Sequence, residues 1–246
     1  MKASLFTPLL FALVLLFSAG CERMDKHQYI KGDRNIVTTK RSVEPFNGLS
    51  STGDFVVVFR KSDACGVTVT VDQNLQDYIY TEVIDGVLTI GTPDNCLLKA
   101  SKTLLVEIDY TELTTLDLAG AVKLRNENTL TFDTLKVTCA GASNFDWNME
   151  GNYFEVHIPG ASSMNLSGNV GQVRMQLDGA SSVDASHLNA RIFSLNMAGA
   201  SKVSLLATEQ LDVDLAGAGI VNYKGNPTVK NFSINGFGRV VPDDAN

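Results

Sequence analysis

The chain has 246 residues, 44% hydrophobic and 19% charged, with 20 Lys and Arg against 27 Asp and Glu for a net charge of −7. This composition excludes a disordered chain and a wholly membrane-embedded one, and the acidic balance argues against a phosphate-binding surface, because nucleic-acid affinity rests on clustered Lys and Arg. Twenty glycines against six prolines and one tryptophan predict many tight turns rather than long helices.

In chain order, Lys2 and the apolar run from Leu5 to Phe17 have the charge and length of a secretory signal peptide over residues 1–20. Ser18-Ala19-Gly20 then sets small residues directly before Cys21, which resembles the lipobox of bacterial lipoproteins, with Ser18 standing where Leu is usual. That resemblance implies cleavage before Cys21, lipidation of Cys21 and attachment to a membrane through acyl chains, more than the two signals that stable anchoring needs. An ordinary signal peptide with Cys21 as a bystander thiol is the alternative. Residues 21–45 are polar and nearly patternless, and are expected to form a lipidated N-terminus and flexible tether. The address implied is the bacterial cell envelope: an outer-membrane lipoprotein, surface-exposed or periplasm-facing.

From residue 46 a folded β domain is expected to run to residue 246. Val56-Val57-Val58-Phe59, Val67 to Val71, Ile79 to Ile84, Val87 to Ile90 and Leu104 to Ile108 read as strands. Asp85-Gly86 between two of them is a two-residue hairpin signal, and Gln73 to Tyr78 reads as a helical turn. Residues 46–112 are expected to be irregular coils with a hairpin excursion that covers one end of the repeats, with a separate small β domain as the alternative. Cys65 and Cys96 both stand in polar, turn-like contexts and are a candidate disulfide in an oxidising envelope. No CxxC or Cys/His cluster supports a zinc site, and no metal or cofactor is implied.

Residues 113–241 are a repeat. Gly-Ala recurs at Gly120, Gly141, Gly160, Gly179, Gly199 and Gly217, Gly236-Phe237 continues the series, and successive glycines are 21, 19, 19, 20, 18 and 19 residues apart. Aligned on that glycine, the position four before is always apolar (Leu116, Val137, Val156, Met175, Leu195, Val213, Phe232). Three before is polar, two before is apolar again, and the alternation resumes after the glycine. Alternation at period two marks strands with one buried face. A 19-residue unit of this kind cannot bury its own face, so the units must stack. At a strand spacing of about 4.8 Å, seven make a column roughly 34 Å tall. The predicted fold is all-β, a right-handed parallel β-helix of about 19 residues per coil. A leucine-rich repeat would need a consensus Asn and helical spacing, and a propeller blade needs about twice the period.

Phe46-Asn47-Gly48-Leu49, Gly53 with Val56-Val57-Val58, Val67 to Val71 followed by Asp72-Gln73-Asn74-Leu75, Asp85-Gly86-Val87-Leu88-Thr89-Ile90 and the Gly-Ala-Ser repeats together resemble the autotransporter-adhesin head GIN domain family over about residues 46–240. The resemblance implies a right-handed β-helix and an envelope location in Gram-negative bacteria. It implies no catalytic residue.

The residues themselves offer little chemistry. There is no GxSxG elbow and no phosphate-binding loop. His157 falls in an outward polar column, where a solvated role is expected. Asp146 and Asp184 share an outward column two coils apart, about 9.6 Å by strand spacing, which borders on the carboxylate separation of an inverting glycosidase. Trp147 and Tyr223 share a column expected to fill the core, or to offer stacking surfaces for sugars if parity breaks at the corner. Cys139 stands in an apolar column as a small hydrophobe. The candidate ligand surface is therefore Trp147, Asp146, Asp184, His157 and Tyr223. The expected function is a non-enzymatic, lipid-anchored envelope protein that presents a β-helical surface to a glycan or a protein. A polysaccharide-cleaving enzyme and a structural envelope spacer are the alternatives.

Overall fold

The computed structural model describes residues 28–243, so the signal peptide, Cys21 and the first part of the expected tether lie outside the described residues. Residues 28–45 depart from the expected tether. They carry β1 (Gln28–Lys31) and β2 (Ile36–Arg41), and β2 pairs antiparallel with a later strand over its whole length. The partner of each β2 residue lies 26 to 36 residues downstream, which is why no local pattern announces it.

The strands that follow are β3 (Gly48–Thr52), β4 (Val56–Lys61), β5 (Gly66–Asp72), β6 (Tyr80–Ile84), β7 (Val87–Gly91), β8 (Cys96–Lys99) and β9 (Leu105–Tyr110). β7 and β9 lie parallel to β3 and β4 and make the outermost coil, with β3 and β4 beneath it. β5 adds antiparallel to β9, and β6 antiparallel to β7. The β6–β7 hairpin turns at Asp85 (φ 50°) and Gly86 (φ 76°), two consecutive left-handed residues of the kind an Asp-Gly turn supplies. A 3-10 turn, Gln73–Tyr78, lies at this end with Leu75 fully buried. Arg41 clasps it by donating to the carbonyls of Gln76 and Ile79, and the Gln76 amide donates to the carbonyls of Val37 and Val69.

The regular stack is β10 (Thr115–Gly120), β11 (Lys123–Asn126), β12 (Leu130–Gly141), β13 (Asn144–Ile158), β14 (Ser163–Leu177), β15 (Ser182–Gly199), β16 (Lys202–Gly217), β17 (Ile220–Lys224), β18 (Thr228–Gly236) and β19 (Arg239–Pro242). Every pairing among them is parallel, and the register follows the repeat: Gly120 opposes Gly141, Gly199 opposes Gly217, and Gly217 opposes Gly236. The inward column Ile158, Leu177, Met197, Leu215 and Ile234 is likewise in register. The protein is a parallel β-solenoid with one continuous apolar core.

Close approach is what the repeated glycine provides. A Cβ on Gly141 would sit 2.1 Å from the carbonyl oxygen of Gly120, and one on Gly179 would sit 2.0 Å from that of Gly160. Both are impossible contacts, so glycine follows from the nesting of coils even where φ is ordinary. The serine two residues later makes a second ladder. The N–H of Val122 donates to Ser143 Oγ, that of Ser143 to Ser162 Oγ, that of Ser162 to Ser181 Oγ and that of Ser181 to Ser201 Oγ, at 2.9–3.2 Å. All four serines are buried. At this corner the chain turns away from the strand ladder, and the hydroxyls take the N–H groups it leaves behind.

The two ends differ. At the far end, Val229, Phe232, Ile234 and Val241 are partly exposed, and Phe237, where other copies have Ala, is 97% exposed.

Candidate functional site

The aromatic and polar residues singled out in the sequence separate into three places. Trp147 corrects the expected ligand surface: it is 1% exposed, at the centre of an aromatic cluster with Phe145 at 5.0 Å and Phe59 and Phe154 at 6.3 Å between ring centroids. Parity holds through the corner, so the ring points inward, and its Nε1 has no hydrogen-bond partner among the described residues. Tyr223 opposes Leu205 and is half-buried, edge-on to Phe232 at 5.9 Å. Trp147 offers no free face for stacking.

Asp146, Asn165 and Asp184 do line up in one outward column. Asn165 donates to Asp146 at 3.0 Å, while Asp184 accepts the hydroxyl of Ser186 at 2.6 Å and its N–H at 3.0 Å. Those two bonds hold the Asp184 carboxyl below its ordinary range. A glycosidase acid needs its pKa raised, so Asp184 is set up to stay ionised. His157 is tied across the coils to Asp178, with 2.7 Å between Nε2 and Oδ2, and Gln176 donates to the same oxygen at 2.8 Å. The His157 bond, followed by that from Gln176, lowers the Asp178 pKa. This surface clasp runs diagonally over 21 residues and is not visible in the columns.

Cys65 and Cys96 are free thiols, which corrects the candidate disulfide. The Cys65 thiol donates to the carbonyl of Phe46 and contacts Thr111, beyond the end of β9. Cys96 starts β8 and lines a hollow with Phe55, Val56 and Leu104, at the start of β4 and β9. The six residues of β4 separate them by roughly 17 Å, against the 4.4–6.8 Å between Cα atoms that a disulfide allows. Among the described residues no group of three or more His, Cys, Asp or Glu is placed to hold a metal ion.

A further concavity lies where none of these residues stand. At the corner opposite the Gly-Ala turns, a trough of about 830 Å³ crosses successive coils. Its floor includes the in-register series Phe132, Gly151 and Val170. A Cβ on Gly151 would meet the Phe132 ring at 2.2 Å, so the ring lies directly over that glycine, with Phe154 6.2 Å away beside it. One wall is Thr131, Glu150, Asn169 and Asn189, also in register. The other carries Asp133, Asn152 and Arg191. Asn152 donates to Asp133 at 2.6 Å, Asn189 to Asn169 at 3.3 Å, and Arg191 to Glu209 at 3.0 Å. The sequence signal for this trough is the pair Asn169 and Asn189, which oppose each other but stand nine and ten residues after their glycines, because the register of β14 with β15 shifts between Asn165 and Ser167.

A family model described as "Putative auto-transporter adhesin, head GIN domain" matches residues 45–227. Among solved structures, one described as a putative adhesin from Bacteroides fragilis NCTC 9343 superposes with a TM-score of 0.80 at 21% identity, covering 87% of this chain and 100% of that one. A second, described as a putative lipid binding protein from Parabacteroides distasonis ATCC 8503, has a TM-score of 0.74 at 21% identity and covers 88% of this chain and 100% of that one. A third, a putative adhesin from Parabacteroides merdae ATCC 43184, has a TM-score of 0.65 at 18% identity, covering 88% and 99%. At these identities the likeness is one of fold. No curated protein matches the chain.

Proposed function

The chain belongs to the head GIN domain family of auto-transporter adhesin-like proteins, and from that premise we propose that it is a non-enzymatic adhesion protein of the bacterial envelope, held to the membrane by a lipid on Cys21 and contacting its ligand along the trough. The observation that carries the reading is the trough itself, a polar concavity built across stacked coils whose register the core fixes. A solenoid presents such a surface at no conformational cost, because the backbone beneath it is already paired.

The anchor rests on the lipobox-like segment ending at Cys21. No helix among the described residues is long and apolar enough to cross a membrane. The test is protease treatment of intact cells expressing the full chain, against lysed cells as control. Digestion on intact cells is the expected result; protection until lysis overturns the adhesion role. The Cys21→Ala chain is expected to lose acyl labelling and leave the membrane fraction, and retention of both would overturn the anchor.

A further inference from the structure

We infer that the trough over Phe132 takes an uncharged polysaccharide, an inference that rests on the adhesion reading and gives the ligand its chemical class. An extended peptide has no strand edge to add to along most of the floor, because Gly151 and Val170 are engaged in parallel ladders with the coils on both sides; only the stretch of β12 around Phe132 is paired on one side alone. An anionic chain is disfavoured, since Glu112, Asp133 and Glu150 line the trough against Lys61 and Arg191, and Arg191 is already engaged by Glu209. What remains suits hydroxyls. Carboxylates accept from them, and side-chain amides both donate to and accept from them.

The geometry also suits a chain of rings. Polar side chains repeat along one wall at the strand spacing, and the trough from the Thr131 coil to the Asn189 coil is about 14 Å long, three intervals of about 4.8 Å. A polysaccharide laid across the coils meets an equivalent wall position at each interval. Phe132 stands at one end, half-buried over Gly151, an aromatic surface against which the apolar face of one sugar ring packs. Asn169 and Asn189 are exposed and bonded to each other through one amide hydrogen, which leaves Asn169 with both N–H donors free for ligand hydroxyls.

Affinity electrophoresis of the purified full chain in detergent micelles tests this, through native gels containing linear β-glucan, galactomannan or mannan, with hyaluronan as the acidic comparison. At least one neutral polysaccharide is expected to retard the protein. Phe132→Ala is expected to weaken that retardation about ten-fold, the loss of the one aromatic contact to a sugar ring. Because Phe132 also packs on Phe154, the exposed double variant Asn169→Ala/Asn189→Ala serves as the second probe, with a similar loss expected at unchanged Tm. No retardation by any neutral polysaccharide, retardation by hyaluronan alone, or retardation untouched by both variants overturns the inference. None of these results alters protease accessibility on intact cells, so the adhesion reading stands or falls separately.

Discussion

Ser162→Ala probes the interior of the serine ladder. Ser162 Oγ accepts the N–H of Ser143 at 3.2 Å, and the Ser162 N–H donates onward to Ser181 Oγ at 3.1 Å. Both side chains are buried where water does not reach. Alanine keeps the backbone and the donor to Ser181 but strands the Ser143 N–H. A buried donor left unpaired costs about 1–3 kcal/mol, so urea unfolding is expected to give that loss with an unchanged m value. Each kcal/mol corresponds to about 2–4 °C in Tm for a domain of this size. Ser163→Ala, one residue along and exposed, is the control, with a change within about 0.5 kcal/mol. In the double variant Ser162→Ala/Ser181→Ala the losses are expected not to add, since the two share one chain of bonds. Equal stability of the Ser162 and Ser163 variants would refute the ladder as a source of coil-to-coil stability.

Asp72 is fully buried; burial pushes its carboxyl up, but the hydrogen bonds from the Ser101 hydroxyl and N–H and the Arg34 N–H outweigh this and hold it below the ordinary value near 4. A lowered folded pKa gives stability that is full above the unfolded value and lost as pH falls through the folded one. Asp72→Asn is therefore expected to unfold more easily at neutral pH and to show a flatter pH dependence of stability below about pH 4, read by denaturant titration at several pH values. Trp147 is the sole tryptophan, so its emission is expected to resist acrylamide quenching in the folded protein, and Trp147→Ala is expected to lose about 3–5 kcal/mol. A readily quenched indole would contradict its place in the core. In hydrogen exchange, amides of 228–242 are expected to exchange well ahead of those in β14 and β15, because the last coil has exposed apolar side chains and a coil on one side only.

The sequence by itself determined the solenoid. In a parallel stack each residue's neighbour lies one repeat away, so the Gly column and the alternating columns follow from period and parity, while the inward aim of Trp147 needed parity to hold through the corner. The Asp85-Gly86 hairpin was legible for a similar reason, being a local backbone requirement met by two adjacent residues. Tertiary structure alone decided what depends on non-periodic contacts. β2 finds β5 across an antiparallel pairing, Asp72 gathers Arg34 and Ser101 from two distant segments, and His157 reaches Asp178 diagonally between coils. Cys65 and Cys96 looked alike in local context but lie beyond opposite ends of one strand. The trough belongs to the same class. It forms at the corner where the repeat length varies, so the residues that line it share a face only after the coils have stacked.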